Sequence, residues 1–388
     1  MSWMRPARPR DPVASSSCRI RGMRFQEIRA RNFRNFGSMS ASFPDGAQFI
    51  RGGNGQGKTN LLEALGLVTS LRSFRAADVS SMIHWEARPR QATLVYELNH
   101  EQLGDTMLEI QLRPGSKQVL LDGNPVRRLG EILGLFPTIP FSSQDIQLLR
   151  GSPSVRRRLL DMMFVLMDPA YYESLSCYHQ ALKARNALLK QRAGPSQRRV
   201  FEDMLVNEGW SIVTLRRKLL GIFQPHFQTA YAGISGGKEE PRLDYLASLD
   251  APDRESYEAA FLAAEGRDLE TAATNRGPHR DDLEIRLQDH PAREFASEGQ
   301  QRGLVLSLRM GLVDWYHRRG GTPPVILADD IVGELDSGRR RGFWQMLGSR
   351  CQIIATGTQF PEEDTFHDWV HWHMEGGVLG LGGKGVEK

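Results

Sequence analysis

Along this chain of 388 residues the apolar positions change their period three times, and each change marks an element. Between Met23 and Ile50 the short β-rich runs "RFQEIRA" and "AQFI" predict strands, and "KTNLLEALGLV" from Lys58 has the spacing of a helix. "QATLVYEL", "TMLEIQL" and "KQVLLDGNPV" then predict a meander of strands turning at Asp122-Gly123, with one further strand at Thr138 to Phe141. Beyond Ser152-Pro153, a cap followed by proline at the first helical position, the texture becomes helical and Leu159, Leu160, Met163, Phe164 and Met167 share a side. Leu175, Leu182 and Leu189 recur every seven residues, as do Leu205, Ile212 and Leu219, with Gly194-Pro195-Ser196 between them. Two or three heptads predict an antiparallel helical pair inside a lobe rather than a long coiled-coil arm.

From Arg276 the β/α alternation returns as strand "DLEIRL", helix "GQQRGLVLSLRMGLVDWYHRR", strand "PVILAD", a helix from Arg339 to Leu347 and strand "CQIIAT". The pattern is therefore α/β: one core interrupted by a helical insertion. Its expected divisions are a basic extension at 1–22, a first core lobe at 23–150, a helical lobe at 151–275, and a return to the core at 276–388.

Composition changes this picture little, but charge distribution does. The content is 40% hydrophobic and 25% charged, and no apolar run approaches the ~20 residues of a membrane helix. Cys18, Cys177 and Cys351 lie far apart without zinc or disulfide spacing, as suits a reducing cytoplasm. The net charge of +4 equals that of Met1 to Gly22, a Pro/Arg/Ser-rich stretch that reads as a disordered extension, with Met23 as an alternative start. The remainder is neutral yet polarised: 13 Lys/Arg against 6 Asp/Glu between Arg150 and Ile222, and 3 against 10 between Glu239 and Glu270. If a polyanion binds, the basic segment is the expected surface, with Lys183, Arg185 and Lys190 on one helix and Arg216, Arg217 and Lys218 on the next.

The candidate chemistry begins at Gly52, Gly53, Asn54, Gly55, Gln56, Gly57, Lys58 and Thr59, which fit G-x-x-x-x-G-K-[ST] between a strand and a helix and lead into Asn60. Glycines let backbone N–H groups converge on a phosphate, Lys58 reaches the β- and γ-phosphates, and the Thr59 hydroxyl suits Mg²⁺. A metal partner is supplied by "PVILADD": Asp329 for the Mg²⁺ shell, and Asp330 to polarise water for in-line attack. Lys58 and Asp330 are thus catalytic candidates, and nucleotide hydrolysis is the implied reaction. His371 and His373 alternate on a predicted strand but lack a third ligand nearby, which favours a structural role. Arg156, Arg157 and Arg158 occupy the first turn of a helix, where cations oppose the dipole, so an anionic partner is expected for them.

Between cradle and acid lies "FASEGQQRGLVLSLRMG", in which Ser297, Gly299 and Gln300 open a helix. This resembles the signature motif of ABC-type ATPases, which acts on the nucleotide held by a second subunit. Together with "RNFRNF", "GQGKTNLLEA", "SLRSFR", "FSSQDIQLLRGSPSVRRRLLD", "GPHRDDL" and "ADDIVGELD", the motifs run from Met23 to about Gly357 and are similar to those of the RecF family of bacterial DNA replication and repair ATPases, kin of the SMC heads. The resemblance implies an ABC-type ATPase head, a P-loop core with an antiparallel β meander plus an inserted helical lobe. It also implies ATP and Mg²⁺ as cofactors, an ATP-dependent homodimer on double-stranded, gapped or junction DNA, and partnership with RecR- and RecO-type mediators. Within it Arg34 would contact the adenine end, Gln144 would act as a lever near the metal, and Gly333 to Asp336 would feel the partner subunit. "FSSQD" departs from the usual Phe-Ser-Pro-Glu-Asp, and with no histidine after "CQIIATGTQ" the γ-phosphate sensor falls to Thr356 or Thr358. A transporter ATPase would carry Leu-Ser-Gly-Gly-Gln and a switch histidine, and a GTP-using enzyme an N-K-x-D reader; none of these is present.

Overall fold

The computed structural model describes residues 22–75, 78–237, 239–320, 322–331, 335–348, 351–360 and 367–382. The predicted extension at 1–22 lies outside them except for Gly22, and so do Gly333 and Glu334 of the expected partner-sensing loop. The described chain opens with a hairpin, β1 (Arg24–Phe33) and β2 (Phe36–Ser42), and continues through β3 (Ala47–Arg51) into α1 (Lys58–Ser70). The predicted meander follows as β4 (Ala92–His100), β5 (Gly104–Arg113), β6 (Ser116–Leu121) and β7 (Asn124–Pro125), and β8 (Thr138–Ser142) ends this part. Meander and hairpin form one sheet in the order β2-β1-β4-β5-β6-β7. Its alternation is strict in β4, where Ala92, Leu94, Tyr96, Leu98 and His100 are buried, and that face packs on α1. Tyr96 fixes the packing by donating its hydroxyl to Ala64 O at 2.7 Å.

After β8 come α2 (Gln147–Arg150), α3 (Pro153–Met167), α4 (Pro169–Lys190) and α5 (Pro195–Ser235). Next are β9 (Pro241–Leu246), α6 (Arg254–Ala263), α7 (Glu265–Thr271), β10 (Asp282–Leu287), β11 (His290–Pro291), α8 (Ala292–Phe295) and α9 (Glu298–Arg319). The chain closes with β12 (Val325–Asp329), α10 (Ser337–Leu347), β13 (Ile353–Gly357), β14 (Trp369–Glu375) and β15 (Val378–Leu381). A second sheet has the order β15-β14-β3-β13-β12-β8, parallel except at β15. Its four inner strands, β3, β13, β12 and β8, are almost wholly buried because α1 and the meander cover one face while α5, α9 and α10 cover the other. The predicted helical pair is α4 against α5, with Leu175, Leu189, Leu205, Ile212 and Leu219 buried in the seam.

Two expectations change. "DLEIRL" does not return to the parallel sheet: β10 pairs antiparallel with β9, a strand not foreseen, in a small sheet belonging to the helical lobe. More consequentially, much of the basic segment is paired inside the protein. Arg185 is 1% exposed and bonds Glu202, Asp268 and Thr274. Arg216, 2% exposed, donates to Asp161, Asp281, Tyr171 and Pro278 O. Arg198 meets Glu265, and Arg217 meets Asp250 and Ala251 O. The basic and acidic segments of the sequence therefore neutralise each other across the lobe, and Arg185 and Arg216 cannot reach a phosphate. Removing one partner would strand a buried charge, typically costing about 3–5 kcal/mol. Lys183, Lys190 and Lys218 remain at the surface. Of the three arginines of α3, Arg156 finds its anion inside the protein, gripping Asp282 with two bonds, while Arg157 and Arg158 donate to the backbone carbonyls of Asp281 and Ser73.

The "GPHRDD" stretch sits in the same network. His279 Nε2 faces Thr274 O at 2.9 Å, so it carries the proton, and Nδ1 accepts from Tyr178 at 2.7 Å. Burial pushes its pKa down to about 4. A base depressed in the folded state contributes stability that is present above its unfolded value, ~6.5, and lost as pH falls toward 4, because only the unfolded chain takes up the proton in that window. Thermal unfolding of wild type should therefore lose on the order of 3 kcal/mol between those limits from this group. A His279→Gln variant should show a flatter pH profile there; an identical slope would remove His279 as the origin.

Candidate functional site

The glycine stretch links β3 to α1 at the carboxyl ends of the parallel strands, where open α/β sheets place ligands. Gly57 precedes α1 with φ +111°, and no side chain caps the helix, so its first N–H groups are available to an anion. Close approach also demands glycine: a Cβ on Gly57 would lie 2.9 Å from Asn35, and one on Gly52 would lie 2.4 Å from Met374 O. The loop is braced by the β14–β15 turn, where Gly376 N donates to Gln56 Oε1 at 2.6 Å and Gly377 N to Gln56 O at 3.1 Å. Lys58 is buried and donates to Gly52 O and Gly53 O at 2.6 and 2.9 Å, which curls the loop around its ammonium.

The acid arrives from β12. Pairing places Asp329 opposite Thr356 on β13 and opposite Ser142 on β8. Asp329 Oδ1 accepts from Thr59 at 2.9 Å and from Thr356 at 3.0 Å. Burial raises its pKa above the usual carboxylate value, and the two hydroxyls counter part of that. A hydroxyl beside a carboxylate is a hard oxygen donor set that fits Mg²⁺. Asp330 follows with φ +53°, a left-handed turn that aspartate tolerates, and its N–H donates to Thr356 O at 3.2 Å. A cleft of about 280 Å³ is lined by Asn54, Gly55, Gln56, Gly57, Lys58, Thr59, Asn60, Arg75, Asp329 and Asp330, so cradle and both acids face one space.

The other expected residues divide. Arg34 lies in the hairpin turn beside the cradle, but its guanidinium is held by buried Glu63 and by Ser81 O rather than in the cleft lining. Glu63 was not singled out from sequence; it also accepts from Ser73 and lies 3.8 Å from Arg75. Arg75 was likewise missed as a cleft residue, and bonds Asn60 Oδ1 at 3.0 Å. Gln144 is exposed two residues beyond Ser142, outside the cleft lining. Of the two sensor candidates, Thr356 is buried on Asp329 and Thr358 is exposed. Ser297 and Gln300 close a capping box on α9, and neither they nor Gly299 line the cleft of their own chain. His371 and His373 are exposed on β14, and no metal-holding group of His, Cys, Asp and Glu occurs among the described residues.

A phosphate cradle and a threonine-pinned carboxylate on a parallel sheet, with a separate signature helix, define an ABC-type ATPase head. The chain belongs to the RecF family: residues 24–364 match the RecF/RecN/SMC N terminal domain, and the DNA replication and repair proteins RecF of Bacillus cereus (strain G9842) and Bacillus thuringiensis (strain Al Hakam) are each 30% identical over 371 residues, covering 92% of this chain and 98% of theirs. Among solved structures, the recombination mediator protein RecF-ATP in the RecFOR pathway superposes with a TM-score of 0.84 at 27% identity, covering 94% of this chain and 99% of that one. The Smc head domain from Pyrococcus furiosus shares the fold at TM-score 0.52 and 17% identity, over 92% of this chain and 95% of its own.

Because folding raises the Asp329 pKa, the native state holds the proton more tightly, and stability falls as pH rises from the unfolded value through the folded one. Asp329→Asn should therefore be at least as stable as wild type at neutral pH while losing Mg²⁺-dependent turnover. Asp330→Asn should keep nucleotide binding and lose hydrolysis. Melting curves and steady-state phosphate release check both; wild-type turnover in Asp330→Asn would remove that carboxylate from the reaction.

Proposed function

We propose that this chain is an ATP-hydrolysing DNA repair head whose two copies close around two ATP molecules on DNA, hydrolysis then releasing the DNA. The observation that carries this reading is the Thr59–Asp329–Thr356 junction beneath the glycine cradle, combined with a signature helix that does not reach its own cleft. A complete site then needs Ser297 from a second copy. Bound Mg²⁺ would neutralise charge developing on the transferred phosphoryl group. Thr59 and Asp329 would hold it, Lys58 would leave Gly52 O and Gly53 O for phosphate oxygens, and Asp330 would orient the attacking water. Asp330 has a short side chain with which to reach that water, so turnover should be slow, at or below ~1 per second. The RecF proteins of the RecFOR pathway suggest RecR- and RecO-type partners and a cytoplasmic setting for recombinational repair. No helix among the described residues is long and apolar enough to cross a membrane.

The DNA surface moves from the helical lobe to the seam between lobes. Lys117 on β6 donates to Leu71 O and Arg158 on α3 to Ser73 O, so two cations clasp one loop from either side with exposed Arg72 between them. Burial, then Arg72 and Arg158, hold the Lys117 pKa below the usual lysine value. Such mutual repulsion is relieved when a polyanion releases its counterions to bind there. Arg127 and Arg128, which follow β7 of the same meander, are also exposed and add to its positive charge.

Sedimentation with and without ATP tests the pairing: wild type should dimerise with ATP, and Ser297→Arg should bind ATP but stay monomeric. ATP-independent behaviour of wild type would defeat the reading.

Duplex binding at several salt concentrations tests the seam. Arg72→Glu with Arg128→Glu should weaken binding about tenfold or more and reduce the salt slope by ~0.9 for each phosphate no longer neutralised. Lys183→Glu with Lys190→Glu should change it little. The reverse ranking would return DNA to the helical lobe.

A further inference from the structure

The signature helix carries two glycines on one face, Gly299 and Gly303; the Arg339 side chain from another element approaches both, sharing the space over Gly303 with Tyr231 and Ile234 of α5. A Cβ on Gly299 would fall 2.6 Å from Arg339 Nη1, 3.2 Å from Cζ and 3.3 Å from Nη2, and one on Gly303 would fall 3.8 Å from Arg339 Nε. The guanidinium therefore lies along the groove that these glycines leave at the start of α9. Arg339 belongs to α10, the helix that follows the two catalytic carboxylates, and it is held there twice. Its backbone N–H donates to Asp336 Oδ1 at 2.9 Å and its Nη1 to Asp336 Oδ2 at 2.6 Å, Asp336 being the cap of that helix. One turn deeper, Gly342 packs directly on Gly233 O of α5, so α10 cannot shift without disturbing the helix pair behind it.

Glycine at position 299 is usually read as making room for a phosphate. Here the room on that side is already filled by an arginine of the same chain, which no alanine would allow without displacing the guanidinium. The neighbourhood also has an acidic side: Gln300 Nε2 donates to Glu239 Oε1 at 2.5 Å, and Tyr231 donates to Glu239 Oε2 at 2.6 Å. A cation inserted between Asp336 and the glycine face balances that charge at the end of α9 that must approach a polyphosphate.

We propose that Arg339 is a positioning residue for ATP hydrolysis, a clamp that seats over Gly299 and Gly303 and joins the signature helix to the segment that follows Asp329 and Asp330. This rests on the two-copy reading above. In a dimer, one rigid body would then carry both the acids that serve a chain's own nucleotide and the Ser297 that serves its partner's. The two sites would open and close together.

The test is a double-substitution cycle in the full-length protein. Arg339→Ala should leave ATP binding within about twofold, because it does not line the cradle, and Arg339→Ala and Gly299→Ala should each lower kcat at saturating ATP about tenfold or more and bring the Hill coefficient for ATP toward one. The double variant should be no worse than the worse single variant, since either change alone already unseats the clamp. Arg339→Lys should not rescue, as a point charge cannot lie flat over two glycines. Additive losses in the double variant would overturn the clamp, and so would wild-type kcat and cooperativity in Arg339→Ala. If wild type itself forms no ATP-dependent dimer, the two-copy reading falls first and the clamp with it.

Discussion

One buried carboxylate organises the site. Asp329 is almost wholly shielded from water, a costly place for a carboxylate without hydrogen-bond donors. Two threonine hydroxyls from separate elements, Thr59 on α1 and Thr356 on β13, make that tolerable by donating to the same oxygen. The three residues can meet only if β12 and β13 keep the register that sets Asp329 against Thr356, and if α1 starts where Gly57 releases the chain. Strand register, helix start and the hydrogen bonding of one buried carboxylate are thus one constraint seen at three levels. The Asp330 turn depends on it too, since its N–H rests on the carbonyl of the same Thr356.

A different arrangement of charge governs the helical lobe. Arg216 and Arg185 each serve two acids contributed by elements far apart in sequence, so α3, α4, α5 and the stretch from Asp268 to Asp281 are welded around two guanidinium groups. Well-satisfied buried pairs of this kind select one arrangement rather than add much stability. The weld reaches the nucleotide lobe through Arg158 and Ser73 O, and Ser73 in turn donates to Glu63, which holds Arg34 and faces Arg75. A chain of direct contacts therefore leads from the helical lobe to the rim of the ATP cleft.

The fold was legible in the sequence wherever its physics is local. The glycine cradle, the apolar strand ending in two acids, the meander and the helical pair each show up as spacing within a short window. The small sheet was not legible, because β9 is brief and its partner β10 lies some 40 residues later, so only tertiary contact distinguishes it from a core strand. The basic segment was misread as wholly free surface for a related reason. Charge counted along a segment ignores where its counter-charges come from, and the acidic run near Asp268 folds back onto the basic one. Glu63 offered one signal: an acid within the apolar face of α1 announces a buried cation partner. The cleft role of Arg75 left no comparable pattern, since its place follows from the path of a loop.

The glycines show how far a motif can mislead when its spacing is taken for its mechanism. Gly57 is needed for a positive φ and for the approach of Asn35, and Gly52 for the carbonyl of Met374; both serve the cradle's own shape. Gly299 has an ordinary helical place, and a side chain there would have to displace the guanidinium of an arginine from another helix. Identical residues thus answer to backbone strain in one motif and to packing in the other.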